Sequence, residues 1–411
     1  MSMINHAGEA DGDGDEVVPA AEQGRFRLLR MRARDPEEVG RTATPLELFF
    51  DLVFVVAVSI AAVNLHHALT DAHVVEGLLA YGAIFFGIWW AWMNFTWFAT
   101  SFGTDDWLYR VLTFVQMGGV LVLAAGIKPM FEEGDATVLI LSYVVMRVAM
   151  VAQWLRAARS GGEGGLAAKH YAIGIGAAQV LWLLSLLLPD GLTPIAFVLL
   201  IGVELAVPIL AERRGSTPWH PHHITERFGL FSLILLGESL LASANAVVEA
   251  LETVQELGPL LWIAVLALAV TCALWWIYFW PPHHRVINGY ASSLVYGYTH
   301  FFVFAAAGAL SAGIEVEIDV LTGESKLDPL AASFTVTVPI AIFVLGIWWI
   351  ALRHQADRVV NIAVPAGAVL VLLDPILPFP VAVTAIILAL VVAVLVVRAP
   401  LEAHEHGRMV G

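Results

Sequence analysis

From Pro45 onward the chain alternates apolar stretches of 16 to 25 residues with short polar breaks. A helix of about 20 apolar residues crosses a hydrocarbon layer of about 30 Å, so each stretch has the length of a membrane span. Twelve are counted: 45–68, 77–100, 106–127, 136–158, 167–188, 192–212, 225–247, 258–279, 289–313, 332–353, 359–374 and 379–397. A membrane barrel would show segments of about ten residues alternating apolar and polar, which these do not. The expected fold class is an all-α integral membrane protein of about twelve transmembrane helices. The eleventh stretch contains Pro365 and ends at Asp374-Pro375, which predicts a broken or re-entrant helix.

Composition agrees. Hydrophobic residues make up 59% of the 411 and charged residues only 14%, whereas soluble domains carry about 25% charged residues. A soluble enzyme is excluded, because there is too little polar surface to cover one. A net charge of −15 argues against a nucleic-acid partner. The single cysteine, Cys272, excludes an internal disulfide or a thiolate cluster. The expected partners are membrane lipid and a small solute or ion; oligomeric state is not legible.

Residues 1–23 are acidic, rich in Gly and Ala, and read as a disordered tail. Residues 24–41 are basic, with Phe26, Leu28, Leu29 and Met31 set among arginines, and read as a juxtamembrane piece on an anionic surface or a solvated linker. Two six-helix halves, 42–215 and 216–398, and a cytoplasmic tail, 399–411, complete the layout. With the N-terminus inside, eighteen of the 21 basic residues fall on the inner side and only Lys128 and Lys326 outside. The positive-inside rule then places both termini in the cytoplasm and the protein in the cell membrane. Outer breaks are acidic, as at Glu315, Glu317, Asp319, Glu324 and Asp328, and read as solvated surface. Trp89-Trp90 against Trp275-Trp276, and Thr44-Pro45-Leu46-Glu47 against Ile224-Thr225-Glu226-Arg227, suggest a six-plus-six parallel duplication. Transporters built from such repeats bind substrate between their halves.

Charged groups are costly in lipid and must face a partner or water. Counted at about 1.5 Å of rise per residue, Gln116, Arg147, Glu204, Glu238 and His300 all lie near mid-membrane, on five helices. They are the candidate substrate or ion site. One arginine against two glutamates leaves an imbalance, so a proton or cation is required if the five share a pocket. Glu47 and Asp51, four apart on one helical face, with Glu226 and Arg227, form a candidate cytoplasmic gate or proton site. Glu47 also suits a helix cap with Thr44, as Thr225 suits the cap of span seven. His220, His222, His223, His283 and His284 lie on the inner side and are weak metal candidates, since no cysteine accompanies them. No Walker loop, dinucleotide fingerprint, nucleophile elbow or His-Glu-x-x-His string occurs, and no cofactor or metal is expected.

Two strings are distinctive: Thr44-Pro45-Leu46-Glu47-Leu48-Phe49-Phe50-Asp51-Leu52-Val53-Phe54-Val55, and His223-Ile224-Thr225-Glu226-Arg227-Phe228-Gly229-Leu230-Phe231 with Leu236-Gly237-Glu238-Ser239. Over roughly residues 40–398 the chain resembles the bacterial low-temperature-requirement protein A family. The resemblance implies an integral membrane protein linked by name to growth in the cold, and it assigns no chemistry to Glu47, Asp51, Glu226, Arg227 or Glu238. The leading functional expectation is a proton- or ion-coupled secondary transporter of a small solute, with no enzymatic activity. The alternatives are a membrane-embedded enzyme acting on lipid or isoprenoid, or a structural or regulatory membrane protein.

Overall fold

A computed structural model describes residues 28–38, 40–252, 257–377 and 380–398. The tails expected at 1–23 and 399–411, and residues 24–27 of the basic segment, lie outside the described residues.

In lipid a backbone must satisfy its own N–H and C=O groups, and apolar runs of this length do so as helices. Twelve α-helices occur among the described residues: α1 (Pro45–Thr70), α2 (Val74–Ser101), α3 (Trp107–Glu133), α4 (Thr137–Ala158), α5 (Gly162–Ser185), α6 (Thr193–Glu212), α7 (Pro221–Glu252), α8 (Leu257–Phe279), α9 (Tyr290–Thr322), α10 (Pro329–Ile347), α11 (Arg358–Leu373) and α12 (Pro380–Val397). Ten described stretches are long and apolar enough to cross a membrane, and Val381–Val397 is a shorter apolar helix. α5 carries Lys169, His170 and Gln179 and falls outside the ten. Large side chains such as Leu79 and Val198 stand two-thirds exposed on the outside of the bundle, which suits lipid and not water.

Several helix ends differ from expectation: α3 runs six residues past its expected end and α5 starts five earlier, and three further differences touch named residues. α9 runs to Thr322, nine residues past the expected end, so Glu315, Glu317 and Asp319 lie on a helix rather than in a loop. α7 begins at Pro221, a turn earlier than expected. Thr225 is therefore inside the helix, its hydroxyl donating back to the Pro221 and His222 carbonyls. The cap is instead the ring of His220, whose Nδ1 accepts the His223 amide at 3.3 Å. α11 continues through Pro365 without a break and then turns through Asp374–Ile376. Asp374 holds that turn by accepting the amide and hydroxyl of Thr384.

The described part of the basic segment is a strap across the bundle end where α1 starts, here called the proximal end. Strand β1 (Arg32–Ala33) pairs antiparallel with β2 (Phe102–Gly103), a small departure from an all-α chain. Met31 is buried, the Leu29 amide donates to Asp106, and Arg41 donates to the Ala99 and Thr100 carbonyls at 2.7 Å. The piece expected on a lipid surface or in solvent is thus tied to the helix ends. Burial lowers the Arg41 pKa to about 10; the two carbonyls accept from its Nη groups, Glu47 and Glu38 partly offset its charge, and Nε has no partner among the described residues.

Inside the bundle, α1 packs on α2 and α3 of the first half and on α7 and α9 of the second. Close helix approach depends on small residues. Gly313 of α9 sits against the Thr335 carbonyl of α10, where any Cβ would collide with backbone.

Candidate functional site

Three buried polar clusters form where the sequence placed two. At the proximal end, the capping box of α1 positions Glu47: the Thr44 hydroxyl accepts the Glu47 amide, and Glu47 Oε2 accepts the Thr44 amide at 2.7 Å. That leaves Oε1 facing inward, 3.3 Å from His223 Nε2 and 3.6 Å from Arg227 Nη1. One turn deeper, Asp51 receives Arg227 in a fork: Nε donates to Oδ2 at 2.8 Å and Nη2 to Oδ1 at 2.5 Å. The Trp92 indole of α2 also donates to Oδ1, at 2.6 Å. Arg227, Asp51, Glu47 and His223 are all buried. Glu47 thus serves as both helix cap and ion-pair partner. Glu226 points elsewhere and accepts the Ala43 amide at 3.1 Å.

The five mid-membrane groups do not share a pocket, contrary to expectation. Arg147 of α4 pairs with Glu204 of α6 at 2.9 Å. Glu204 Oε2 also accepts Trp90 Nε1 at 2.9 Å, while Oε1 accepts Gln179 Nε2 at 3.0 Å and Trp182 Nε1 at 3.3 Å. This carboxylate has two donors on each oxygen and one cation, whereas Arg147 Nε and Nη1 are buried without a partner among the described residues. Glu238 of α7 is half-buried and accepts the Ser59 hydroxyl of α1 at 2.5 Å. His300 lies in a third cluster, with Nε2 3.1 Å from the Tyr278 hydroxyl and Nδ1 2.8 Å from the Tyr296 carbonyl. Gln116 turns back onto its own helix, donating to the Leu112 carbonyl at 3.4 Å. The physical reason is local: a polar group in lipid takes a neighbouring donor or carbonyl where one is in reach, and Trp90, Trp182 and Tyr278 supply three of these contacts.

The inner histidines likewise separate. His220 caps α7, His223 joins Glu47, and His222 stacks on His284 with ring centroids 4.2 Å apart. His283 is buried, with Nε2 2.7 Å from the Tyr278 carbonyl and Nδ1 3.1 Å from the Tyr296 hydroxyl. Burial lowers its pKa to about 4, so it is neutral at physiological pH. Among the described residues no group of three or more His, Cys, Asp or Glu is placed to hold a metal ion.

At the far, distal end, His66 Nε2 of α1 stands 2.7 Å from Asp319 Oδ2 of α9, which also accepts the Thr70 hydroxyl at 2.5 Å. The Lys326 amide donates to the Thr70 carbonyl at 2.8 Å, and its ammonium meets Asp71 at 2.7 Å. Asp319 therefore links the halves rather than lying on a solvated surface.

Arg227 thus joins Asp51 across 176 positions, and the residues that meet are those of the two distinctive strings. The sequence profile of the bacterial low temperature requirement A protein (LtrA) matches residues 42–397, nearly all of the described chain. The chain belongs to the LtrA family. An uncharacterized protein of Rhizobium meliloti (strain 1021) is 30% identical over 266 residues, an alignment covering 59% of each chain, so the chain spans about three-fifths of the relative it matches. Membership makes this a multi-pass membrane protein, in keeping with its apolar helices. The proximal cluster therefore draws residues from both distinctive strings of this LtrA-family chain.

Trp92, Gln179, Trp182, Tyr278 and Tyr296 complete these clusters, and sequence reasoning missed all five. Their signal was weak, because an aromatic or amide in an apolar helix reads as core or interface. The four-residue spacing of Tyr296 and His300 on α9 was the one available hint.

Proposed function

We propose that this LtrA-family protein is a proton-coupled carrier of a small solute or ion. It sits in the cell membrane with both termini cytoplasmic, and its two halves are joined at a proton-dependent contact. One observation carries the reading. Asp51 and Glu47 bring two carboxylates against Arg227, which is always charged, and against His223, which is switchable. With His223 neutral and both acids ionised the buried set carries one net negative charge; one proton on the set makes it neutral. A low-dielectric site penalises the uncompensated state, so proton occupancy and the geometry of the contact are linked.

The placement of the cluster supports coupling to movement. α1 meets the second half at the proximal cluster, at Ser59–Glu238, and at His66 and Thr70 with Asp319. A helix held at both ends by histidine–carboxylate contacts suits alternating release of one end and then the other. Glu238, which has one hydroxyl donor between the two ends, is the proposed coupling carboxylate. We assign Arg147 and Glu204 to the scaffold of the first half, and His300 and Gln116 to helix packing. The six-plus-six repeat is supported by matched packing: α1 on α2 and α3, α3 on α4 and α4 on α5 are paralleled by α7 on α8 and α9, α9 on α10 and α10 on α11. The basic residues gathered on the proximal side support cytoplasmic termini.

The test is a solute screen in proteoliposomes loaded with a pH-reporting dye. The carrier reading expects at least one solute to move protons across the membrane with the wild-type protein, and Asp51→Asn and Glu238→Gln proteins that insert normally to lose the response. Proton flux that persists unchanged in both variants contradicts it.

A further inference from the structure

The corner where α10 turns into α11, at the proximal end, carries more positive charge than its one acid can match. α10 ends in a wide five-residue turn, Trp348–Leu352, closed by the Arg353 amide donating to the Trp348 carbonyl at 2.9 Å. Arg353 follows Trp349 by four positions and so returns to the same face. Its guanidinium lies over the Trp349 ring, 3.4 Å from the centroid. Asn361 of α11 locks the corner: it accepts the Trp348 indole N–H at 2.9 Å and donates to the Arg353 and Ala356 carbonyls. Arg358, on the opening turn of α11 three positions before Asn361, is thereby held beside Arg353.

The acid of this corner is already committed. Asp357 caps α11 by accepting the Val360 amide at 2.9 Å, and it pairs at 3.1 Å with Arg398 at the end of α12. Arg353 and Arg358 have no acidic partner among the described residues, and Arg358 stands exposed, as does His354. The adjoining surface is bare hydrocarbon: Trp349 is 45% exposed, and Val359 and Ile362 of α11 are exposed with it. A ligand here meets cations on one side and apolar helix faces on the other. A soluble anion would use only the first. An anionic phospholipid uses both, its phosphate accepting from the guanidinium groups and its chains covering the apolar faces.

We propose that this corner binds an anionic phospholipid, with Arg353 and Arg358 holding the headgroup phosphate and Trp349 lying against the upper part of an acyl chain. The site is built from the second half alone, and binding here does not depend on carrier activity.

Thermal melting of the purified full-length protein in detergent, titrated with phosphatidylglycerol, reads binding as a rise in melting temperature. The proposal expects a saturable rise that neither phosphatidylcholine nor inorganic phosphate gives. In Arg353→Ala/Arg358→Ala the half-saturating lipid concentration should increase roughly thirtyfold, the weight of two arginines near an anionic headgroup. Arg213→Ala/Arg214→Ala, which removes the same charge from the exposed residues just past α6, should bind as wild type does. An equal rise with phosphatidylcholine or with inorganic phosphate, or an equal loss in both alanine pairs, would overturn the proposal. Native mass spectrometry of the Arg358→Ala protein, whose lost side chain makes no contact that folding needs, reads retained phosphatidylglycerol without melting. It should show less than wild type, and equal retention would contradict the site.

Discussion

Arg227 and Asp51 meet in a two-bonded fork, Nε to Oδ2 at 2.8 Å and Nη2 to Oδ1 at 2.5 Å, joining α7 to α1 inside the bundle. Removing one partner of a buried pair strands the other charge, at a cost of about 3–5 kcal/mol. Asp51→Asn should therefore lower the melting temperature in detergent sharply. Arg227→Lys, which keeps the charge but loses the fork, should fall between wild type and Asp51→Asn. Fluorescence-detected melting checks both, and an Asp51→Asn protein as stable as wild type would remove the pair from the account.

Arg147 and Glu204 form a separate neutral unit, so their variants should behave differently. Glu204→Gln leaves Arg147 uncompensated and should destabilise by a similar amount, whereas Glu204→Gln with Arg147→Met should recover part of the loss. The cluster shares no hydrogen-bond partner with Asp51. The effects of Glu204→Gln and Asp51→Asn should then add to within about 0.5 kcal/mol. A large coupling energy in that double-mutant cycle would show that the two clusters are one.

Thr44 supplies the α1 cap and fixes Glu47 for its inward contacts. Thr44→Ala should cost about 1 kcal/mol of stability. It should also shift any proton-linked response, since the Glu47 backbone amide loses the Thr44 hydroxyl that anchors the turn carrying its side chain. A stability loss with an unchanged pH profile would limit Thr44 to capping alone.

His283 gives a pH prediction with a defined sign. Its folded pKa is about 4 against an ordinary 6.5, because burial disfavours the charged ring. Between those values the unfolded chain holds a proton that the folded chain refuses, so stability falls as pH drops from 6.5 toward 4 and levels off below. The full window is worth at most about 3 kcal/mol. Melting temperatures at pH 7.5, 6 and 5 should show an acid slope that His283→Asn reduces; an identical slope would place the acid sensitivity elsewhere.

The architecture was legible because apolar length alone decides a span, and observed helices begin and end within a few residues of the expected stretches for most of the chain. α9 was misjudged because Glu315, Glu317 and Asp319 read as a loop, although a carboxylate tied to His66 and Thr70 is tolerated on a helix. The shared face of Glu47 and Asp51 was legible from four-residue spacing, whereas Arg227 was expected at a helix opening that in fact lies six residues before it, at Pro221. The convergence of Glu204, Glu238, Arg147 and His300 was not, because depth along a helix says nothing of rotation about its axis. Arg147 and Glu204 met each other, but Glu238 and His300 took other neighbours, Ser59 and Tyr278, and those partners carry no distinctive spacing.

The central claim is that a proton on the Glu47–His223–Arg227–Asp51 cluster governs the contact between α1 and α7. Pulsed electron-spin distances between labels on Leu48→Cys and Leu233→Cys, in a Cys272→Ser background in lipid nanodiscs, test it most directly. The account predicts two distance populations whose ratio changes between pH 5.5 and pH 8, and loss of that change when Glu47→Gln and His223→Gln are combined. A single distance at both pH values, or a pH-dependent ratio that survives the double substitution, would contradict it.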